Sequence, residues 1–210
     1  MAEYELSKRY VDEQTVESSL HHAIRVDALA NSLPVASKSL AAHLAFIASI
    51  SGSEQIMQIG ATAGVAGAAL HRGAPSAIIT TIDRDSEALD RERRSLLRVG
   101  HAPAWIRNIS GDPLQVLPRM SESSYDLVLI SATLDHVAAH ITHALRLVKP
   151  GGTILVLNAL NHGRVADPAR RDAVTQSLRT LIREFSSHPD FVVATLALDG
   201  GLLQISVPAR

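Results

Sequence analysis

Gln55-Ile56-Met57-Gln58-Ile59-Gly60-Ala61-Thr62-Ala63-Gly64-Val65-Ala66-Gly67 is a short apolar run that ends in a glycine turn and opens a helix. The run reads as a buried strand of a parallel sheet. Glycines at such a turn let the backbone bend sharply and approach a ligand, and the helix start offers N–H groups to an anion. The G-x-G-x-x-G spacing of dinucleotide binding is missing, because Thr62 stands where that pattern needs glycine. Two readings stay open: a ligand loop contacting a cofactor through Gly60, Ala61 and Gly64, or small residues that only pack strand against helix.

Downstream, apolar runs over 77–82, 104–109, 126–130 and 153–157 alternate with helical stretches. The helices are expected at 64–71, at 86–99 with Gly100 as cap, and at 135–148, with a short turn at 113–119. Alternating strand and helix predicts right-handed crossovers and a doubly wound α/β sheet with helices on both faces. A long helix is expected over 168–187. Two strand-like runs, 191–198 and 202–207, then flank Asp199-Gly200-Gly201, a spacing that makes an antiparallel hairpin. The sheet is thus expected to have seven strands, mostly parallel, with an antiparallel last strand. Upstream, Val16, Leu20, Ile24 and the Val26/Leu29 region recur at helical spacing, Asn31 to Pro34 breaks the helix, and Leu40, Leu44 and Ile47 restart it. No linker divides the 210 residues. We expect one domain over 1–210, with a helical cap over 1–50 and a Rossmann-like core over 51–210.

Composition narrows the function. Hydrophobic residues make up 46% and charged residues 20%, which excludes a disordered chain. A formal net charge of -1 argues against a nucleic-acid or polybasic membrane binder. Aromatic residues at 3% leave little for base stacking, and the absence of cysteine excludes disulfides, thiolate metal sites and a cysteine nucleophile. No apolar run is long enough to span a bilayer, and Glu3, Glu5, Lys8 and Arg9 are unlike a signal peptide. The chain reads as a cytoplasmic protein.

Further candidate positions follow the strands. Asp83, with Arg84 beside it, ends the second strand, where a carboxylate can accept both hydroxyls of an adenosine ribose. The alternative is a helix cap, a role that Asp85 and Ser86 suit better. Gly111, Asp112 and Pro113 follow the third strand, either reading an adenine edge or making a plain turn. His136, His140 and His143 share a helical face, but no acidic partner is spaced to complete a metal site, and a surface or half-buried role is the simpler reading. The run Asp90, Arg91, Glu92, Arg93, Arg94 and Arg98 reads as a solvated face, and so does His21-His22.

This ordered set resembles the catechol and caffeoyl-CoA O-methyltransferase family of S-adenosylmethionine-dependent enzymes, from about residue 33 to 207. The resemblance is carried by Gln58-Ile59-Gly60 with Gly64, by Thr81-Ile82-Asp83, and by Gly111-Asp112-Pro113-Leu114-Gln115-Val116-Leu117-Pro118. Tyr125-Asp126-Leu127-Val128, residues 145–152 and His162-Gly163-Arg164-Val165-Ala166-Asp167-Pro168 complete it. It implies a class I methyltransferase Rossmann-like sheet and an S-adenosylmethionine site at Val35, Gly60, Ala61, Gly64, Asp83, Arg84, Gly111, Asp112, Pro113 and Ser131. It also implies a small-molecule methyl acceptor and a homodimer.

The departures are as informative. The family usually carries glutamate where this chain has Gln58, and a hydroxyl where it has Ala66. It supplies a metal-binding carboxylate and a lysine where this chain reads Ser131-Ala132-Thr133-Leu134, and Asp-Asn where it reads Leu157-Asn158. A hard divalent cation needs several oxygen ligands, so no metal is expected. Three readings follow: a metal-independent O-methyltransferase with His136 or His162 as general base, a catalytically silent cofactor-binding module, and a nicotinamide-dependent oxidoreductase. The missing glycine spacing and the terminal hairpin argue against the last.

Overall fold

The computed structural model describes residues 2–209. Three helices open the chain: α1 (Ala2–Gln14), α2 (Ser19–Ala30) and α3 (Lys38–Ile50). The α/β part then runs β1 (Gln55–Ile59), α4 (Val65–Gly73), β2 (Ile78–Asp83), α5 (Ser86–Arg98), β3 (Ile106–Ser110), α6 (Pro113–Val116) and β4 (Tyr125–Ile130). It continues with α7 (Val137–Leu147), β5 (Val148–Leu157), α8 (Ala173–Ser187), β6 (Val192–Leu196) and β7 (Leu202–Ser206). Among the described residues, seven strands form one sheet in the order β3-β2-β1-β4-β5-β7-β6. β7 runs antiparallel to both its neighbours, and the pairs among β1 to β5 are parallel. The expected sheet and hairpin are therefore present.

The central strands bury both faces, as their apolar runs require. Alternate residues point to opposite sides. Ile56, Leu127, Leu129 and Leu155 face a layer built from α2, α3, α4 and α5, in which Ile24, Leu44, Leu70 and Leu96 are buried. Met57, Ile59, Val128, Ile130, Ile154 and Val156 face the opposite layer, with Ile141 and Leu147 of α7 and Leu178 of α8. Strand order reverses between β1 and β4, so the loops leaving these two strands part and open a crevice at their carboxyl ends. Gly60, at φ 94°, begins one of these loops, and a Cβ there would lie 2.7 Å from the backbone nitrogen of Ala132 in the other. Only glycine satisfies both the backbone angle and the close approach.

Several expectations need correction. The helix expected over 168–187 begins at Ala173, because Asp172 caps it by accepting the Thr175 N–H at 3.0 Å. Arg179 pins the irregular residues before it by donating to the carbonyl oxygens of Val165, Arg170 and Arg164. Val16 is not part of an inward helical stripe. It lies in the link before α2, which Ser18 caps, and is 80% exposed. Leu20, Val26 and Leu29 are also exposed, while Ile24, Arg25 and Ala28 face inward. Leu134–His136 forms a separate 3-10 turn, so α7 starts at Val137 and not at 135. Strand β5 begins at Val148, five residues earlier than expected.

Candidate active site

A cavity of about 820 Å³ occupies the crevice. Its floor is the loop after β1, with Ala61, Thr62, Ala63 and Ala66, together with Ser131 from the loop after β4 and Leu157-Asn158 at the end of β5. Its roof comes from the N-terminal helices and their links: Lys8, Arg25, Leu29, and the residues from Leu33 to Ser37. The hairpin tip, Asp199-Gly200, and the exposed His162 close one side.

The link over the cavity is held from two directions. Arg25, largely buried, ion-pairs with Glu17 and donates to the Ala36 carbonyl oxygen. Asp199, in the β6–β7 turn, accepts the Ser37 N–H at 2.7 Å through Oδ2. Ser37 in turn caps α3 by accepting the Leu40 N–H. Val35, directly before these two anchors, lines the cavity wall.

The glycine loop turns its amides inward. The Ala61 N–H donates to Asp83 Oδ2 at 2.7 Å. The N–H groups of Thr62 and Gly64 donate to Glu92 Oε2 at 3.3 and 3.1 Å. Two carboxylates therefore take up amides that a phosphate-binding loop would present to its anion. Asp83 Oδ1 accepts the Asp85 N–H, and each carboxylate oxygen keeps a second lone pair for a hydroxyl donor. Asp85 caps α5 by accepting the Glu87 N–H.

A second group adjoins this one. The Gly111 N–H donates to the Asp83 carbonyl oxygen at 2.9 Å, and Arg84 ion-pairs with Asp112 at 2.8 Å. The hydrogen bond from Arg84 holds the Asp112 carboxyl below the usual carboxylate range. Asp112 also accepts the Leu114 N–H, capping α6 at Pro113. So Val35, Ala61, Ser131 and His162 line the cavity. Asp83 sits directly behind Ala61, and Gly60 and Gly64 frame the loop. Arg84, Gly111, Asp112 and Pro113 lie on the adjoining rim. His136 does not line the cavity: the turn before α7 leaves it exposed. His140 is buried in α7, where burial pushes its imidazole pKa down.

Reasoning from sequence misses Arg25, Asp199 and Glu92. The charge run that contains Glu92 reads as a solvated face, yet Glu92 is fully buried. Its spacing from Leu89 and Leu96, on the buried side of α5, is the available signal.

A family model described as O-methyltransferase matches residues 8–206. The chain belongs to the O-methyltransferase family. A Mycobacterium avium (strain 104) protein, provisionally named an O-methyltransferase, is 32% identical over 188 residues, covering 89% of this chain and 85% of its own. A solved structure from Corynebacterium glutamicum superposes with a TM-score of 0.89 at 26% identity, over 99% of this chain and 98% of that one. The Streptomyces achromogenes O-methyltransferase TomG, involved in tomaymycin synthesis and solved with S-adenosylmethionine, gives 0.82 at 21% identity over 95% and 94% of the two chains. At that identity the likeness is one of fold.

In this O-methyltransferase, the positions where a divalent ion would be expected do not fit one. Ser131 donates its hydroxyl to the Gly60 carbonyl oxygen at 2.6 Å, and Leu157 carries no ligand atom. Of these positions, Asn158 alone offers a side-chain oxygen free of that bond, and it is neutral. Hard cations are held by several oxygens, usually with carboxylate charge among them.

Proposed function

We propose that this protein transfers a methyl group from S-adenosylmethionine to a hydroxyl of a small molecule without a metal ion. The observation that carries the reading is the glycine loop, whose amides of Ala61, Thr62 and Gly64 face Asp83 and Glu92. With its amides already taken up by two carboxyl groups, the loop does not present them to an anion such as the pyrophosphate of a dinucleotide. Asp83 has lone pairs for the ribose hydroxyls, with Val35, Gly60, Ala61, Gly64 and Ser131 around the methionine end. The Gly111-Asp112-Pro113 rim, braced by Arg84, faces the adenine. Residues 1–50 act as the lid of one domain whose core is 51–210. Solved relatives carrying S-adenosylmethionine or S-adenosylhomocysteine support the cofactor.

S-adenosylmethionine, when bound, supplies a methyl group on a sulfonium sulfur that leaves as a neutral thioether. The chain holds the acceptor hydroxyl in line with that methyl between Leu157, Asn158 and the hairpin tip. Orientation of this kind contributes several kcal/mol to a two-body transfer. His162 brings an imidazole to the cavity wall, and it takes the hydroxyl proton as the new oxygen–carbon bond forms. His136 has no such access.

The test is a methyl-transfer screen over phenols, catechols and aliphatic alcohols, run with magnesium and with chelator. Turnover unchanged by chelator is expected, with kcat of His162→Gln lower by about 100-fold, the size of a lost general base. Magnesium-stimulated turnover overturns metal independence. Binding of NAD but not S-adenosylhomocysteine by calorimetry overturns the cofactor. Cofactor binding with no turnover on any acceptor favours the silent module, a reading supported by the neutral residues at Ser131, Leu134 and Leu157.

A further inference from the structure

Glu92 is 0% exposed and sits on α5 directly beneath the cofactor loop. Each of its oxygens has a distinct task. Oε2 accepts the N–H groups of Thr62 and Gly64, and Oε1 accepts Gln58 Nε2 at 2.9 Å. Gln58, also 0% exposed, reaches in from β1 and donates from the same nitrogen to Thr81 Oγ1 at 3.1 Å. Its Oε1 is buried without a hydrogen-bond partner among the described residues. With nitrogen toward Glu92, the amide gives the carboxylate a donor at the expense of its own oxygen. Turning it over would set oxygen against oxygen in the ionised form; burial pushes the Glu92 pKa up, and the donors from Gln58, Thr62 and Gly64 are what hold it down.

The site has been cleared for this carboxylate. A Cβ on Gly67 would collide with Glu92 Oε1 and lie 3.1 Å from Gln58 Nε2. Any larger residue at 67 therefore displaces Glu92. The two amides that Glu92 grips flank Ala63, a non-glycine residue held in the left-handed region at φ 55°. L-residues avoid that region, and the surroundings must impose it. Ala63 forms part of the cavity wall.

We propose that Glu92 is the positioning residue of the cofactor loop, holding Thr62, Ala63 and Gly64 in their binding shape, with Gln58 orienting it and Gly67 making room. The carboxylate reaches the loop from α5, and β1 contributes only the neutral amide that aims it. Glu92 acts through the loop and touches no reacting atom. The consequence for cofactor affinity rests on the S-adenosylmethionine reading above; the consequence for the loop does not.

Two isosteric variants test it. In Glu92→Gln the Thr62 and Gly64 N–H groups still select an oxygen, but a neutral one, and Gln58 must turn its amide over to accept the new NH₂, so the charge-assisted bonds to the loop are lost. In the double variant Gln58→Glu/Glu92→Gln, the same heavy atoms remain with the charge exchanged between β1 and α5. The carboxylate on β1 then draws the amide nitrogen at position 92 toward itself and leaves the amide oxygen on Thr62 and Gly64. Amide hydrogen exchange of Thr62 and Gly64 in the cofactor-free protein should speed up at least tenfold in Glu92→Gln and return to within about threefold in the double variant. The Kd for S-adenosylhomocysteine and the KM for S-adenosylmethionine should rise about tenfold and recover in the same pattern, with kcat changed less than threefold.

Unchanged exchange in Glu92→Gln overturns the proposal. So does altered exchange with unchanged affinity, or a double variant that recovers neither readout or does not fold. A native protein that binds no S-adenosylhomocysteine refutes the cofactor reading, while the exchange rates still decide whether Glu92 holds the loop.

Discussion

Asp83 shows how a side chain that holds the fold can keep lone pairs for the ligand proposed above. Its two oxygens already accept the N–H groups of Ala61 and Asp85, so it staples the end of β2 to the loop after β1 before any cofactor arrives. Asp83→Ala removes these bonds together with the proposed ribose acceptors. Cofactor binding should weaken by roughly 1–3 kcal/mol, the range of hydrogen bonds to charged groups. Calorimetry with S-adenosylhomocysteine measures it, and an unchanged affinity would place the ribose elsewhere. The place of Asp83 at the end of β2 is legible in the sequence because an acidic residue closing an apolar run is a local pattern. Glu92 is not, because its meaning depends on what covers α5. Arg91, one residue away, pairs with Glu87 near the surface, while Glu92 turns under the loop.

Helix α7 carries a different tension. Its inward side comprises Val137, His140, Ile141, Ala144 and Leu147. His140 is 3% exposed, and its Nδ1 has no hydrogen-bond partner among the described residues. Burial depresses its pKa, and the nearby His136, Asp112, His143 and Arg84 pull in both directions. His71 and His101, which meet through their Nδ1 atoms at 3.0 Å, are lowered by burial as well. A depressed folded pKa gives stability that is complete above the unfolded value of about 6.5 and is lost as pH falls through the folded value. The native protein should therefore unfold at lower urea near pH 5.5 than near pH 7.5. His140→Leu should be more stable by about 1 kcal/mol at neutral pH, since an unpaired buried polar atom disappears, and should lose less on acidification. An equal loss in the variant assigns the acid sensitivity to His71 and His101. The element types are readable from periodicity, but their ends are not. Asp172 and the turn at Leu134–His136 decide where α8 and α7 begin, and both act through backbone geometry that hydrophobic spacing does not report.

The N-terminal helices leave an apolar surface open. Leu6, Tyr10 and Val11 on α1, Val16 in the link, and Leu20, Val26 and Leu29 on α2 are all exposed. Apolar side chains gathered in this way mark interaction surfaces more often than free ones, and we expect a homodimer that uses them. Light scattering at micromolar concentration should return twice the chain mass, and Leu20→Glu with Leu6→Glu should return the chain mass with the far-ultraviolet spectrum unchanged. A native monomer would refute the expectation. The far end of the molecule has its own logic. β7, the last strand along the chain, is not at the sheet's edge. It lies between β5 and β6, bonded to both, and β6 meets the sheet only through it. During synthesis β6 therefore has no ladder to join until residues 202–206 have left the ribosome. Val192, 76% exposed even in the finished protein, waits on a strand with both edges open. The turn between β6 and β7 also carries Asp199, which reaches back to Ser37 in the roof of the cavity. The roof of the cavity is therefore latched only once the β6–β7 hairpin has formed, and a chain in which residues 202–206 have not yet paired has an open roof and an unsheltered strand, a substrate for chaperones.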